Sequence, residues 1–229
     1  MRRWTLPLAL LGLAVCAGAA PAASVQINSG TGQSYALRLT SLKEAKFRNT
    51  VRQKYDFSCG SAAVATLLTY QYGYPVSEQA AFEQMYAHGD RAKINREGFS
   101  LLDIKRYLEA NGFEADGFRV PLDRLAEEHL PAIVLIEDRG YHHFVVVKGL
   151  LAGRVLVGDP ALGTRSIPRD RFVRQWRNGL VFVIHNRRDL ARFNAAGDWR
   201  AAPFAPLPAG VDRRGLDAVT LPRRGPADF

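Results

Sequence analysis

The sequence predicts an α+β fold in which N-terminal helices pack on an antiparallel sheet. Three observations carry that expectation. Apolar residues recur at three- and four-residue spacing up to about Gly112, and short β-branched runs take over after it. Two of those runs are joined by a brief glycine-bounded connection of the kind that links antiparallel neighbours. With 229 residues the chain can bury one good core, with short appendages at either end.

The elements follow in order. Arg2-Arg3, the apolar stretch from Leu6 to Ala17, and the small residues of Ala17-Gly18-Ala19 and Ala20-Pro21-Ala22 read as a secretory signal peptide over residues 1–23. Residues 24–50 are polar with scattered apolar positions (Val25, Ile27, Tyr35, Leu37, Leu39) and are expected to form an extended lead-in. A compact domain is expected over residues 51–186. Its first helix starts at Cys59, where Gly60, Ser61, Ala62 and Ala63 precede the apolar positions Val64, Leu67, Leu68 and Tyr72. Ser58 or Asp56 is its cap, and Gly73 and Pro75 stop it. Glu78 to His88 forms a second helix behind Ser77. Ser100 caps a third, with Leu101, Ile104, Tyr107 and Leu108 as its apolar face. Strands are predicted at 113–120, 132–136, 144–147, 154–157, 166–167 and 180–184, with short helices at 122–129 and 169–176. Residues 187–229 are rich in Arg, Ala and Pro without periodicity. They are expected to form a loosely ordered tail that docks through aromatics such as Trp199 and Phe204.

Composition narrows the function. The hydrophobic and charged fractions, 47% and 23%, are those of an ordinary globular protein. The net charge of +9 is not gathered into a basic stripe interleaved with aromatics on one element, so a nucleic-acid partner is not expected. A basic exported protein that meets anionic surfaces or acidic peptides fits the charge; membrane association is compatible with it and not required. Cys16 falls in the signal segment, which leaves Cys59 as the single thiol of the mature chain. In an oxidising compartment such a thiol is either buried and inert or kept for its reactivity. A cysteine-based metal cluster is excluded by count, and no metal or cofactor is expected.

At the first turn of a helix, Cys59 meets unpaired backbone N–H groups and the positive end of the helix dipole, which stabilise a thiolate. Gly60 is read as leaving room for a substrate backbone. Among the histidines, His88, His129 and His185 sit at element ends and read as solvated or capping residues. His142-His143 stands directly before Phe144-Val145-Val146-Val147, so a core strand holds the rings, and alternation turns only one of them to the catalytic side. With the connecting turn at 151–153, Asp159 comes within reach of His143, as a carboxylate that orients the imidazole and stabilises its charged form. Taken alone, Asp159 would be a turn residue in Asp-Pro-Ala-Leu-Gly. An oxyanion hole needs donors aimed at the developing charge; the N–H of Cys59 is one and the amide of Gln53 the other. Together the four residues make an acyl-transfer set of the Cys-His-Asp type.

The segment Gln53-Lys-Tyr-Asp-Phe-Ser-Cys59-Gly60-Ser-Ala-Ala resembles the nucleophile motif of the C39 peptidases, papain-like proteases that remove double-glycine leader peptides. His143-Phe-Val-Val-Val and Asp159-Pro-Ala-Leu-Gly163 match that family's later motifs in the family's order, so the resemblance spans residues 51–184. It implies a papain-like cysteine peptidase fold with Cys59 as nucleophile, His143 as base, Asp159 as orienter and Gln53 in the oxyanion hole. Gly60 and His142 are then the neighbours of the substrate. The best-known C39 domains are fused to ABC exporters. This sequence shows no transmembrane bundle and no nucleotide-binding motif, and reads as a stand-alone, exported version acting in the periplasm. Gly98-Phe-Ser-Leu-Leu-Asp-Ile-Lys-Arg-Tyr-Leu and Arg139-Gly-Tyr resemble the peptidase component of functional-amyloid secretion systems. The expected partners are a peptide or protein substrate and secretion-system components. Two other readings stand beside the peptidase: an acyl transferase using the same residues, and a non-catalytic peptide-binding adaptor on the same fold. All four catalytic positions are filled, which favours catalysis.

Overall fold

The computed structural model describes residues 24–28, 34–38, 40–138, 140–176 and 178–202. The expected signal segment, Phe204 and the rest of the tail beyond Ala202 lie outside these residues. The chain divides into two compact units at Ser41 and Leu42. In the first, β1 (Ser24–Asn28) and β2 (Ser34–Arg38) form an antiparallel hairpin that pairs Ser24 with Arg38 and Asn28 with Ser34.

The second unit opens with helices: α1 (Leu42–Phe47), α2 (Cys59–Thr66), α3 (Glu78–His88), α4 (Arg91–Glu97) and α5 (Leu101–Ala110). The sheet follows, with β3 (Ala115–Arg119), α6 (Leu122–Glu127), β4 (Ala132–Asp138), β5 (Tyr141–Leu151), β6 (Arg154–Asp159), β7 (Gly163–Pro168), α7 (Arg169–Gln175) and β8 (Leu180–Ile184); α8 (Ala196–Ala201) closes it. The six strands lie in the order β3-β8-β4-β5-β6-β7, every neighbour antiparallel. This is the expected α+β, papain-like arrangement of helices followed by an antiparallel sheet.

The β-branched runs are continuous because the sheet is buried on both faces. On β5, Phe144 and Val146 join the core under the helices with Val64, Leu68, Ile104 and Leu108. The alternate residues Val145 and Val147 pack on the other face with Leu125, Val155, Val157 and Phe172. Each fully buried side chain of this kind stabilises the fold by about 1.5–3 kcal/mol. Helix α2 is buried along its whole length, which its small residues permit by letting neighbouring elements approach on all sides. It continues as a π-helical turn over Leu67–Gln71, closed by Tyr72 N donating to Leu67 O at 3.2 Å.

The capping residues are where the sequence puts them. Ser77 Oγ accepts from Ala80 N at 3.1 Å, and Ser100 with Asp103 forms a reciprocal capping box. The sequence does not signal α4, because Ile94 is its single buried residue and no apolar stripe forms. Asp90 caps it by accepting from Lys93 N at 3.1 Å. It ends at Gly98, whose φ of 79° leaves the chain against the carbonyl of Phe57. The β5–β6 strands are longer than predicted and meet at Ala152 and Gly153, both at positive φ (50° and 71°), as tight hairpin turns require.

The tail departs from expectation. Residues 187–202 are not loose: a 3₁₀ turn at Arg188–Leu190 and α8 fold onto the domain. Asp198 is buried there and accepts from Lys148 Nζ at 2.7 Å, Asn49 Nδ2 at 2.9 Å and Gln71 Nε2 at 3.1 Å. Lys148 is itself fully buried at an irregularity in the β5–β6 register, and also donates to Asn49 O at 2.6 Å. A buried cation demands such a counter-charge, and the demand is invisible in the composition of the tail. Among the described residues no helix is long and apolar enough to cross a membrane.

Candidate active site

Helix α2 begins from a loop closed on itself. Ser58 Oγ donates to Tyr55 O at 3.0 Å and accepts from Tyr55 N at 3.1 Å. Ser58 holds the cap position, yet its side chain makes no capping bond, and Asp56 does not replace it. The first amides of α2 therefore keep their partial positive charge at the end of the helix where Cys59 stands. Cys59 is 7% exposed at the rim of two adjoining grooves.

His143 and Asp159 come together through the register of β5 and β6. Pairing of the two strands runs from Leu151–Arg154 to Val146–Gly158 and stops there, so His143 stands three residues beyond the last pair. Its backbone is still held by β4, opposite Ile136. His143 and Asp159 are 4% and 0% exposed. His143 Nε2 lies 2.8 Å from Asp159 Oδ1, an oxygen that also accepts from Ala161 N at 2.9 Å and Leu162 N at 3.1 Å. Since the carboxylate accepts, Nε2 carries the proton, which leaves Nδ1 for other work. Nδ1 is buried and makes no bond in hydrogen-bonding geometry, although Cys59 lies near enough to act on the ring.

The electrostatics follow from these contacts. Burial alone lowers the His143 pKa, but the hydrogen bond to Asp159, the nearby Cys59 sulfur and the charges of both outweigh it. They hold it at about 9, against an ordinary 6.5. Burial likewise pushes the Asp159 carboxyl up, and the His143 bond, the Arg165 cation and the Ala161 amide overcome it, holding the group below the usual carboxylate range.

Sequence reasoning missed two residues here. Arg165, on β7, places Nη2 2.7 Å from Asp159 Oδ2 and Nη1 4.0 Å from Asp138 Oδ2. It has no motif signal; only the β6–β7 register, with Arg165 opposite Val157, brings it to the carboxylate. Tyr141 sets its ring 6.2 Å from that of His143 and donates its hydroxyl to Asp56 O at 2.6 Å, bridging β5 to the loop before Cys59.

The remaining expected residues fare differently. Gln53 is tied to the loop after Asp159, its backbone N donating to Pro160 O at 3.0 Å. Its Nε2 donates to Tyr55 O at 3.1 Å, while its Oε1 is buried without a partner. His142 is exposed, turned away from Asp159 and 3.9 Å from Glu137, and lines both grooves at Cys59. Gly60 is a correction. A Cβ there would meet Phe99 Cβ at 2.9 Å, so the missing side chain makes room for Phe99 and not for a substrate backbone.

Three grooves surround the site. One of about 350 Å³ includes Cys59, Gly98, Phe99, Leu135 and His142 in its lining. A second of about 290 Å³ is lined by Phe57, Cys59, Gly98, Tyr141 and His142, among others. A third of about 390 Å³ is lined by His143 and Asp159 with Tyr141, Leu162, Arg165 and Arg171, and Cys59 does not reach it.

Comparison with known proteins places this geometry. Residues 48–188 match the Peptidase C39 family. The chain is 46% identical over 147 residues to the "Probable functional amyloid protease FapD" of Pseudomonas aeruginosa, covering 64% of this chain and 65% of that one. It is 40% identical over 185 residues to the protein of the same name in Pseudomonas fluorescens, covering 80% of each. The fold is similar to the crystal structure of the peptidase domain of Streptococcus ComA, with a TM-score of 0.51 at 24% identity over 59% of this chain and 97% of that one. The family match extends over more than half of the sequence and contains Cys59, His143 and Asp159: the chain belongs to the Peptidase C39 family.

Proposed function

We propose that the protein is a cysteine peptidase that cuts a peptide bond in an exported protein or leader peptide, in support of functional-amyloid or peptide secretion. The observation that carries this reading is the alignment of Cys59 at the start of α2 with a buried His143 whose far nitrogen is bonded to Asp159 at 2.8 Å. In this mechanism Cys59 sulfur, as thiolate beside the His143 imidazolium, attacks the carbonyl carbon. The oxyanion is received by the N–H of Cys59 and by the Gln53 amide, which leaves Tyr55 O to do so. His143 gives the Nδ1 proton to the departing amine, and a thioester remains on Cys59. Water attacks it as His143 takes a proton, and the acid product leaves with the thiolate restored. Asp159 keeps Nε2 protonated and the ring in plane throughout.

The proposed compartment is the periplasm, reached through the signal peptide of residues 1–23, with secretion-system components as neighbours. The names of the two Pseudomonas relatives support the link to functional amyloid. Replacing Cys59 with Ala in the native host, followed by mass spectrometry of exported proteins and of the mature N-terminus, tests both parts. Loss of one or more cleaved products is expected. Unchanged processing would leave a peptide-binding adaptor as the better reading, and an N-terminus at Met1 would remove the signal peptide.

A further inference from the structure

We propose that a peptide crosses the site with its N-terminal half in the two grooves at Cys59 and its C-terminal half in the groove beyond His143, where Arg171 selects an acidic side chain. This rests on the peptidase reading above and assigns a direction and a charge preference to its substrate. The direction follows from the chemistry. The acyl half stays on the Cys59 sulfur as a thioester, whereas the amine takes its proton from His143, so the leaving half must emerge on the histidine side. The grooves divide in the same way. Cys59 lines two of them with Gly98 and His142, and His143 lines the third, with Tyr141 shared across the boundary.

The third groove has walls suited to an extended chain. Tyr141 and Leu162 are 52% and 53% exposed beside it, apolar surface with no cover among the described residues. Its charges are matched except for one. Arg165 is held by Asp159 and Asp138, and Asp159 is shared with His143. Arg171, exposed on α7, lines the groove and forms no ion pair among the described residues, so it is the one cation there without a carboxylate partner. A carboxylate on the leaving half is its complement. As a solvent-exposed pair it supports a preference of about two- to fivefold, enough to bias cutting without dictating it.

The test uses a synthetic peptide library of mixed sequence, cut by the full chain and read by mass spectrometry, with Cys59→Ala as background. Wild type is expected to enrich Asp and Glu after the cut, within the first few positions, and not before it. Arg171→Gln should erase the enrichment, and Arg171→Glu should turn it towards Lys and Arg, with unfolding temperatures near that of wild type. Acidic enrichment before the cut would reverse the assigned direction. Cutting with no charge preference, or with one that survives both Arg171 variants, would overturn the proposal while leaving the peptidase reading intact. An absence of cuts above the Cys59→Ala background would overturn both.

Discussion

Replacing Asp159 with Asn removes a charge while preserving shape, and its effect should depend on pH in a way that loss of packing would not. The shift of His143 from 6.5 to about 9 corresponds to roughly 3 kcal/mol in favour of the imidazolium, at about 1.36 kcal/mol per pH unit. Asp159 supplies the hydrogen bond and one of the two charges that outweigh burial. Without it the His143 pKa should return towards its ordinary value. At pH 8 the imidazolium fraction then drops from about 0.9 to about 0.03, a loss of roughly thirtyfold; at pH 6 the same change costs less than about twofold. The assay is the pH profile of kcat/KM on a peptide that wild type cleaves, with NMR of isotopically labelled histidine to follow the ring directly. The high-pH limb should lie near 9 in wild type and about two and a half pH units lower in Asp159→Asn. The sign for stability runs the same way: a folded-state pKa raised above the unfolded value stabilises fully below 6.5 and is lost as pH rises through about 9. A deficit that stays constant from pH 6 to 9, or a limb that remains near 9, would refute the electrostatic role of Asp159.

Three further outcomes can be measured. Arg165→Gln removes a cation that keeps Asp159 ionised, so acid inactivation and acid unfolding should both begin at a higher pH, with partial recovery in Arg165→Lys; the acid limb of kcat/KM reports it. Asp198→Ala leaves Lys148 buried without its counter-charge and should cost about 3–5 kcal/mol in urea unfolding. A chain ending at residue 186 should lose a similar amount, whereas a loose tail could be removed without effect. Gly60→Ala forces a Cβ to within 2.9 Å of Phe99 Cβ and should destabilise by about 1–3 kcal/mol, read as a lowered melting temperature.

Much of the site is legible because its parts are short-range. Cys59 at a helix start and His143 on an apolar strand follow from periodicities that repeat within a few residues. The reach from His143 to Asp159 follows from a single hairpin, sixteen residues long by sequence separation. The helix limits at Ser77 and Ser100 are equally local, since a cap bonds an amide three residues on. By contrast α4 was hidden because one buried isoleucine makes no stripe, and Gly60 was misread because its neighbour Phe99 lies 39 positions away.

The order and type of most elements, and the nucleophile, base and orienter, are therefore readable in the residues alone. Only the packed chain shows what holds the second oxygen of the Asp159 carboxylate, and that residues 187–202 belong to the domain. Both have the same cause. Periodicity records which face of an element is apolar, whereas a buried charge such as Lys148 or Asp159 records only that it must be paired. Its partner, Asp198 for the one and Arg165 for the other, is chosen by packing and strand register.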